Sequence, residues 1–280
     1  MDFPIPFAKM TGAGNDFIII DNRYGTVAND EMPSLAARAC RRGQSVGADG
    51  LVLIEDDPEL DFAWKFFNSD GSVAEMCGNA ARCAARLAFL DGIAGQELSF
   101  RTIAGPIRAT VNDTIVKVQL TRPRGLIPSF TFELAGNRKI KAGFVDTGVP
   151  HTIVTVAGED LPGIDVEKTG REIRFHPRFA PAGTNANFIS VQGTNAIDIR
   201  TYERGVEAET LACGTGSAAA ALMTTVWELT SPPVTVVTQS GDRLLIHVDP
   251  SDPGRGEIFM EGAASLVYRG QLTEETILGG

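Results

Sequence analysis

Two cysteines, at positions 77 and 213, are each followed directly by a glycine and then by an alanine-rich segment. The segments read CGNAARCAA from Cys77 and CGTGSAAAA from Cys213. Between Cys213 and Trp227 there is no charged side chain, which predicts a buried helix. A thiol at the first turn of a helix lies beside unpaired backbone N–H groups and the positive end of the helix dipole, which lower its pKa and create an anion site. Taken alone, either cysteine could equally be a small buried apolar residue.

A repeat in the sequence favours the functional interpretation of these cysteines. Cys213 lies 136 residues after Cys77, and other blocks match in the same register without a gap. The matching blocks are Thr11-Gly12 with Thr147-Gly148, residues 17–20 with 153–156, Gly47 with Gly183, and residues 102–105 with 238–241. The repeat predicts two similar lobes, each of which brings one thiol to a shared cleft.

Two facing thiols are suited to the inversion of a stereocentre. In that reaction one group removes the α-proton from one face of the carbon while another returns a proton to the opposite face, and a thiolate and a thiol can do this without a cofactor. Backbone N–H groups at two helix starts would stabilise the carbanion through the substrate carboxylate, and one such donor is worth about 3–4 kcal/mol in an oxyanion hole. Two other uses of cysteine fit less well. A dithiol redox centre usually has its sulfurs close in sequence, and a cysteine hydrolase needs an aligned histidine but no second thiol.

Composition and charge limit the partners and the compartment. The chain has 280 residues, 43% hydrophobic and 21% charged, as expected for a soluble globular protein of one large or two medium domains. The net charge of −10 argues against binding to nucleic acid or to an anionic membrane. No signal peptide or transmembrane helix is predicted, and four cysteines without a disulfide framework favour the cytoplasm. Three histidines and no Cys-x-x-Cys motif predict no metal site.

Hydrophobic periodicity predicts an α/β (α+β) chain dominated by strands, with one central helix in each lobe. The predicted helices cover residues 34–41, 78–90, 165–174 and the segment after Cys213. The predicted strands cover residues 17–20, 51–55, 63–68, 98–103, 107–111, 115–120, 140–145, 152–156, 187–191, 197–202, 234–238, 244–248 and 257–261. Pro123, Gly125 and Pro128 predict a linker between the lobes. One predicted lobe comprises residues 1–122 with 266–280 and carries Cys77, and the other comprises residues 123–265 and carries Cys213.

Several longer motifs match a known family. They are KMTGAGNDF (9–17), NSDGSVAEMCGN (68–79), PH (150–151), GTNANF (183–188), YERG (202–205) and LACGTG (211–216). In this order, and over nearly the whole chain, they closely resemble the diaminopimelate epimerase family. The resemblance implies a cofactor-independent isomerase that interconverts LL- and meso-diaminopimelate, on the route to lysine and peptidoglycan precursors. It also implies two pseudo-symmetric lobes, each a β-barrel-like sheet around a central helix.

The resemblance further implies roles for individual residues. Cys77 and Cys213 would be the acid/base pair, and His151 and Glu203 would tune them. The residues implied at the two helix starts that bind the reacting carboxylate are Gly78, Asn79, Gly214 and Thr215. The residues implied for the distal amino-acid head of the substrate are Asn15, Asn68, Asn185, Glu203 and Arg204. No metal or cofactor is implied, the partner is the small-molecule substrate, and a homodimer is a family expectation.

Each of these assignments has a structural alternative. Arg204 lies nine residues before Cys213, as Asn68 lies nine before Cys77, which predicts that both reach the same cleft. An arginine chosen without this context is more often a solvated surface charge, and a single asparagine is more often a turn former. Cys40 and Cys83 have no partner in the repeat, so both are predicted to be core residues.

The sequence departs from the family at two positions. Many members carry an asparagine at the position of Val149, and that asparagine helps to bind the distal head. Because valine cannot donate a hydrogen bond, either Asp146 or another polar group substitutes for it, or distal recognition is looser. Gly50 stands where some relatives have glutamine.

Two rival functions follow from the same residues. One is a related two-cysteine racemase of the proline, hydroxyproline or histidine type. Glu203 and Arg204 argue against it, because a substrate without a distal charged head would leave both unpaired. The other is a non-catalytic thiol redox switch.

Overall fold

The structure, a computed structural model, describes residues 1–74 and 76–278. Glu75, part of the NSDGSVAEMCGN motif, and Gly279 and Gly280 lie outside the described residues. The chain divides into two compact units. The N-terminal unit holds residues 1–118 and 262–280, and the C-terminal unit holds residues 119–261.

The N-terminal unit consists of antiparallel strand pairs joined by two helical crossovers. Its strands are β1 (Ile5–Gly12), β2 (Asn15–Asp21), β3 (Gly50–Glu55), β4 (Phe62–Asn68), β5 (Glu97–Thr102), β6 (Gly105–Asn112), β7 (Ile115–Gln119) and β17 (Ser265–Leu272), and its helices are α1 (Met32–Ala39), α2 (Gly78–Leu90) and α5 (Glu274–Leu278). Strand β1 pairs antiparallel with β17 and β2, β3 with β4, β5 with β6, and β6 with β7. The pairs β2–β3 and β4–β5 are parallel, and α1 and α2 supply the crossovers that parallel strands require.

The C-terminal unit repeats this plan. Its strands are β8 (Arg124–Leu134), β9 (Arg138–Asp146), β10 (Pro150–Thr155), β11 (Asn185–Gly193), β12 (Ala196–Glu203), β13 (Ala208–Thr210), β14 (Val234–Val237), β15 (Arg243–Val248) and β16 (Ile258–Ala263), and its helices are α3 (Val166–Arg174) and α4 (Gly214–Val226). The pairs β8–β9, β9–β10, β11–β12, β14–β15 and β15–β16 are antiparallel. The pairs β10–β11 and β12–β14 are parallel, bridged by α3 and α4. Each of these seven pairings has a counterpart in the N-terminal unit. In addition, β12 pairs antiparallel with the short strand β13.

A central helix is packed against the strands of each unit. Helix α4 is buried from Gly216 to Thr224, as its lack of charged side chains predicts. Helix α2 is buried although it contains two arginines. Arg82 is fully buried, and Arg86 donates hydrogen bonds to the backbone oxygens of Asp113 and Ala264 at 2.9 and 2.8 Å. The α/β class and the central helices of the sequence analysis are confirmed.

The predicted helices and strands are all present, and their ends agree with the structure to within two residues. The predicted linker is wrong as a description of local structure, because Gly125 and Pro128 lie inside strand β8. The ladder of β8 with β9 shifts register between Arg124 and Ile127 and again between Ile127 and Phe130. These irregularities tolerate a proline, which cannot donate to a regular ladder. Strands β1, β8, β13 and β17 were not predicted.

Candidate active site

Each of the two cysteines occupies the residue immediately before a central helix. Cys77 precedes α2 with φ −142° and ψ 119°, and Cys213 precedes α4 with φ −126° and ψ 109°. Both helices have 13 residues, and both their first and their last residues are 136 positions apart. The two thiols are therefore carried by the same backbone arrangement, beside the unpaired N–H groups of a first helical turn.

In the N-terminal unit, a chain of amide side chains runs from the start of α2. The Asn79 amide nitrogen donates to the Asn15 side-chain oxygen at 2.7 Å, and the Asn15 amide nitrogen donates to Asp49 at 2.9 Å. Arg42 pairs with the same Asp49 carboxylate at 2.8 Å. The side-chain oxygen of Asn79 is buried and accepts no hydrogen bond from the described residues. Asn15 and Asn79 are thus brought together, and Asn79 orients Asn15 as well as contributing its backbone to the helix start.

Asn68 lies apart from this chain. It is exposed at the end of β4, and its amide nitrogen donates to the Ser72 hydroxyl at 2.9 Å within the turn that follows. The Ser72 hydroxyl in turn donates to Asp70 at 2.6 Å. These contacts are those of a turn-forming asparagine, which is the structural alternative for this residue.

In the C-terminal unit, Cys213 lies between a hydroxyl and a carboxylate. Its sulfur is 3.5 Å from the Thr215 hydroxyl, and it hydrogen-bonds the side chain of Glu203. Glu203 also accepts a hydrogen bond from the Thr210 hydroxyl at 2.8 Å. Burial raises the pKa of Glu203 above its ordinary value. A carboxylate with a raised pKa beside a thiol is suited to accept the thiol proton.

His151, on β10, is fully buried behind Thr215. Its Nε2 lies 3.0 Å from the Thr215 hydroxyl, and its Nδ1 lies 3.1 Å from the Asn187 side-chain nitrogen. Burial, followed by the positive charge of Arg204, lowers the pKa of His151 to about 3. The imidazole is therefore neutral at physiological pH.

Asn185 and Arg204 lie together at the ends of adjacent strands. The Asn185 side-chain oxygen accepts a hydrogen bond from the backbone N–H of Arg204 at 2.7 Å, and its amide nitrogen donates to the Pro150 carbonyl at 3.0 Å. Arg204 itself donates from its guanidinium to the Ala182 carbonyl at 3.1 Å. Because both polar atoms of Asn185 are engaged, this residue positions the Arg204 backbone.

A cavity of about 670 Å³ lies beside Arg204 in the C-terminal unit. Its polar lining is Asp146, Arg178 and Arg204, and its apolar lining is Ile127, Phe130, Phe144, Pro150 and Phe179. Val149 is absent from this lining, whereas Asp146, which was one expected substitute for the missing asparagine, is present. One carboxylate oxygen of Asp146 accepts a hydrogen bond from the Gly148 N–H at 2.8 Å. A cavity with a carboxylate and guanidinium groups has the charges that a zwitterionic amino-acid head would require.

Sequence reasoning missed two residues of this site. Asp49 anchors Asn15, and Asn187 contacts His151. Asp49 carried no sequence signal, because a carboxylate between strands is common. Asn187 carried a weak sequence signal, because an asparagine inside a buried strand needs hydrogen-bond partners.

The remaining cysteines lie in the core. Cys40 is 3% exposed and Cys83 is fully buried, which confirms the prediction for both. Burial raises the pKa of each thiol to about 12, so neither is a nucleophile or a base at neutral pH. Within the described residues, every helix is too short or too polar to cross a lipid bilayer.

Comparison with known proteins gives the affiliation of the chain. A model of the diaminopimelate epimerase family matches residues 7–125 and 143–267. A diaminopimelate epimerase from Aquifex aeolicus (strain VF5) is 45% identical over 282 aligned positions, which cover 97% of this chain and 99% of that protein. The resemblance stated from the motifs is confirmed.

Solved structures show the same fold at low identity. A PhzF-family phenazine biosynthesis protein from Bacillus anthracis superposes with a TM-score of 0.73 at 16% identity and covers 97% of this chain and 99% of its own. A probable proline racemase from Agrobacterium radiobacter K84 gives a TM-score of 0.69 at 14% identity, with 98% and 95% covered. The fold is therefore shared by proteins of different names, and only the sequence matches resolve the family. By its family match and by relatives of high identity along nearly its full length, the chain belongs to the diaminopimelate epimerase family.

Proposed function

We propose that this protein interconverts LL- and meso-diaminopimelate without a cofactor, with Cys77 and Cys213 as the acid/base pair. One thiolate takes the α-proton from one face of the carbon, and the other thiol gives its proton to the opposite face. After turnover the two cysteines have exchanged protonation states. The observation that carries this proposal is that both cysteines stand directly before helices of equal length in a repeated plan.

The first turns of α2 and α4 supply donors for the reacting carboxylate. Gly78 and Asn79 contribute backbone N–H groups from one helix, and Gly214 and Thr215 contribute them from the other. One donor of this kind is worth about 3–4 kcal/mol of transition-state stabilisation. Several donors together are of the size needed for a weakly acidic carbon.

Glu203 accepts the proton of the Cys213 thiol. The raised pKa of Glu203, caused by burial, brings its proton affinity closer to that of a thiol. The Thr215 hydroxyl can donate a hydrogen bond to the thiolate that remains. His151 acts behind Thr215 as a neutral group.

The distal head of the substrate binds in the region of Arg204. A guanidinium can hold a carboxylate with two parallel hydrogen bonds. Asp146 lines the same cavity and supplies an acceptor for the distal ammonium, in place of the amide that Val149 lacks. Glu203, Asn15 and Asn68 complete the assignment by family resemblance.

The wider assignments also rest on the family. The two lobes of the repeat, expected at residues 1–122 with 266–280 and at 123–265, correspond to the two compact units, whose bounds are residues 1–118 with 262–280 and 119–261. The protein acts on a small amino acid in the cytoplasm, in the route to lysine and peptidoglycan precursors, as a homodimer that binds neither nucleic acid nor membrane. Size-exclusion chromatography with light scattering tests the oligomeric state.

Isotope exchange tests the reaction. Reduced protein is incubated in deuterated water with LL-diaminopimelate, meso-diaminopimelate, proline, hydroxyproline or histidine, and α-deuterium is measured by mass spectrometry. We expect incorporation into both diaminopimelate isomers and into none of the other amino acids. Deuterium in proline, hydroxyproline or histidine alone would show that the substrate assignment is wrong. Deuterium in none of the five would point to a thiol switch and remove the enzymatic assignment.

A further inference from the structure

We propose that Asn187 is a positioning residue that fixes the proton of His151 on Nε2 and thereby directs the hydroxyl hydrogen of Thr215 to Cys213. The proposal rests on the proposed function, because it assumes that Cys213 acts as a base. Asn187 lies on β11 and is fully buried, and its side chain hydrogen-bonds His151, Thr152 and Thr201.

The orientation of the Asn187 side chain is fixed by a backbone carbonyl. The same side-chain nitrogen lies 3.1 Å from the Thr152 carbonyl oxygen and 3.1 Å from His151 Nδ1. A carbonyl oxygen only accepts hydrogen bonds, so the atom beside it must be the NH₂ group. The Asn187 oxygen then accepts from the Thr201 hydroxyl at 3.0 Å, and all its polar atoms are used.

This orientation decides the state of the imidazole. An NH₂ group facing Nδ1 requires Nδ1 to be the acceptor, and a neutral imidazole then carries its proton on Nε2. Protonation of Nδ1 would bring two donors together in a fully buried place. The low pKa of His151, caused by burial and by the charge of Arg204, agrees with this neutral form.

The state of the imidazole decides the direction of the next hydrogen bond. Nε2–H donates to the Thr215 hydroxyl oxygen at 3.0 Å, so the hydroxyl hydrogen is free to point elsewhere. The Cys213 sulfur lies 3.5 Å from that oxygen. A hydroxyl that donates to sulfur stabilises the thiolate over the thiol. One series of donors, called the relay below, therefore runs from Thr201 through Asn187, His151 and Thr215 to Cys213.

Gly216 provides the room that this arrangement needs. A Cβ built on Gly216 would lie 2.6 Å from the Asn187 side-chain oxygen, too close for any real contact. The glycine that ends the LACGTG motif thus allows Asn187 to approach the first turn of α4. At the matching positions 136 residues earlier, the N-terminal unit has Ala80 and Leu51, which are both fully buried and apolar. The relay belongs to the C-terminal unit alone.

Two charged residues near Cys213, Glu203 and Arg204, are present in all the variants compared below. Glu203 hydrogen-bonds the sulfur and takes its proton, and Arg204 contributes a positive charge that acts on His151. The Asn187 side chain hydrogen-bonds His151, Thr152 and Thr201. A change at Asn187 therefore reports on the relay and leaves both charges in place.

The first test needs no substitution. Protein with ¹⁵N-labelled histidine is studied by NMR between pH 6 and 8, and the His151 resonances are assigned by their loss in His151→Gln. We expect a neutral ring with the proton on Nε2 throughout. A proton on Nδ1, or an imidazolium, in the wild-type protein would overturn the proposal.

The second test measures Cys213 itself, in the absence of substrate. The rate of alkylation of Cys213 by iodoacetamide is followed against pH by peptide mapping. Loss of one hydrogen bond to the thiolate should lower this rate at pH 7 by about tenfold in Asn187→Leu and in Thr215→Val. The double variant should be no slower than Thr215→Val, and Thr215→Ser, which keeps the hydroxyl, should retain the wild-type rate.

A matched control separates this effect from general damage to β11. Ser190 is fully buried on the same strand and accepts a hydrogen bond from Gln192 at 3.1 Å, outside the relay. Ser190→Ala should leave the alkylation profile unchanged. An unchanged profile in folded Asn187→Leu, or additive effects in the double variant, would contradict the relay. If Cys213→Ala instead retained epimerase turnover, the proposed function would fail, whatever the alkylation profile showed.

Discussion

The starts of α2 and α4 share a backbone but differ in the polarity of the side chains behind it. In the N-terminal unit, Asp49 accepts from Asn15, Asn15 accepts from Asn79, and the series ends in the Asn79 carbonyl oxygen, an acceptor. In the C-terminal unit, the series through His151 ends in the Thr215 hydroxyl, a donor. The two helix starts thus share a backbone arrangement, while the side-chain series beside them ends in an acceptor in the N-terminal unit and in a donor in the C-terminal unit.

The two units also differ at the position of Glu203. Glu203 hydrogen-bonds Cys213, and the residue 136 positions earlier is Phe67, which is 5% exposed and part of a hydrophobic cluster. One unit therefore has a carboxylate where the other has only an aromatic ring. The helices and strands recur in both units, while the side chains next to them differ.

The largest expected effect tests what the two units have in common. Cys77→Ala and Cys213→Ala should each lower epimerase turnover by at least about a thousandfold, because a positioned acid or base contributes roughly 10² to 10⁴ and neither can replace the other. Turnover is measured by coupled assay or by isomer separation. Cys83→Ala, within the helix that Cys77 precedes, is the control and should keep its activity. Near-normal turnover in either active-site variant would contradict a two-base reaction.

The second effect tests the carboxylate that only the C-terminal unit has. Glu203→Gln should lower turnover by about a hundredfold, because the amide cannot accept the thiol proton. It should also stabilise the protein at pH 8. Burial raises the pKa of Glu203 in the folded protein. The protonated carboxyl group therefore contributes fully to the free energy of unfolding below the pKa of the unfolded chain, and this contribution is lost as pH rises through the pKa of the folded protein.

Urea unfolding at pH 5 and pH 8 checks this sign. The free energy of unfolding of Glu203→Gln relative to wild type should increase from the lower to the higher pH. If the difference in free energy of unfolding between Glu203→Gln and wild type were the same at pH 5 and pH 8, burial would not raise the pKa of Glu203. Glu209→Gln, at the half-buried ion pair with Arg200, provides a comparison in the same unit.

The elements of both units could be predicted because their sequences follow simple periods. The uncharged run behind Cys213 and the alternating strands gave boundaries within two residues of the structure. Strand β8 was missed because Gly125 and Pro128 interrupt the pattern, and the register shifts that absorb them depend on pairing with β9. Local sequence carries no information about such a partner.

The site was predictable to the extent that it uses motifs. The positions of Cys77 and Cys213 before their helices followed from the CG segments. The link from Asn187 to His151 joins residues 36 apart, and that from Asn79 to Asn15 joins residues 64 apart, so both depend on strand order. Arg82 shows the same limit, because a charged residue at a helical position predicts exposure while the structure buries it completely.

A third prediction compares equivalent backbone positions in β3 and β11. A Cβ on Gly50 would lie 2.6 Å from the Phe66 ring and 2.8 Å from the Phe67 carbonyl oxygen. Gly50→Ala should therefore lower the free energy of unfolding by roughly 1–3 kcal/mol through overpacking. The position 136 residues later is Ala186, which is fully buried and accommodates its Cβ. Ala186→Gly should cost only about 1 kcal/mol. Urea unfolding checks both, and a stable Gly50→Ala would show that the Phe66 ring moves aside freely.

The last prediction compares His151, which titrates, with the residue at the matching position of the N-terminal unit, which does not. His151 has a pKa of about 3 in the folded state, and the residue 136 positions earlier is Asn15, which binds no proton. Below its unfolded pKa, near 6.5, the unfolded chain binds a proton that the folded chain refuses, so stability falls as pH falls. Between pH 7 and pH 5, wild type should lose about 2 kcal/mol more than His151→Gln. Parallel slopes for wild type and His151→Gln would mean that His151 accepts a proton in the folded protein, and the contrast between the two units would lose its electrostatic basis.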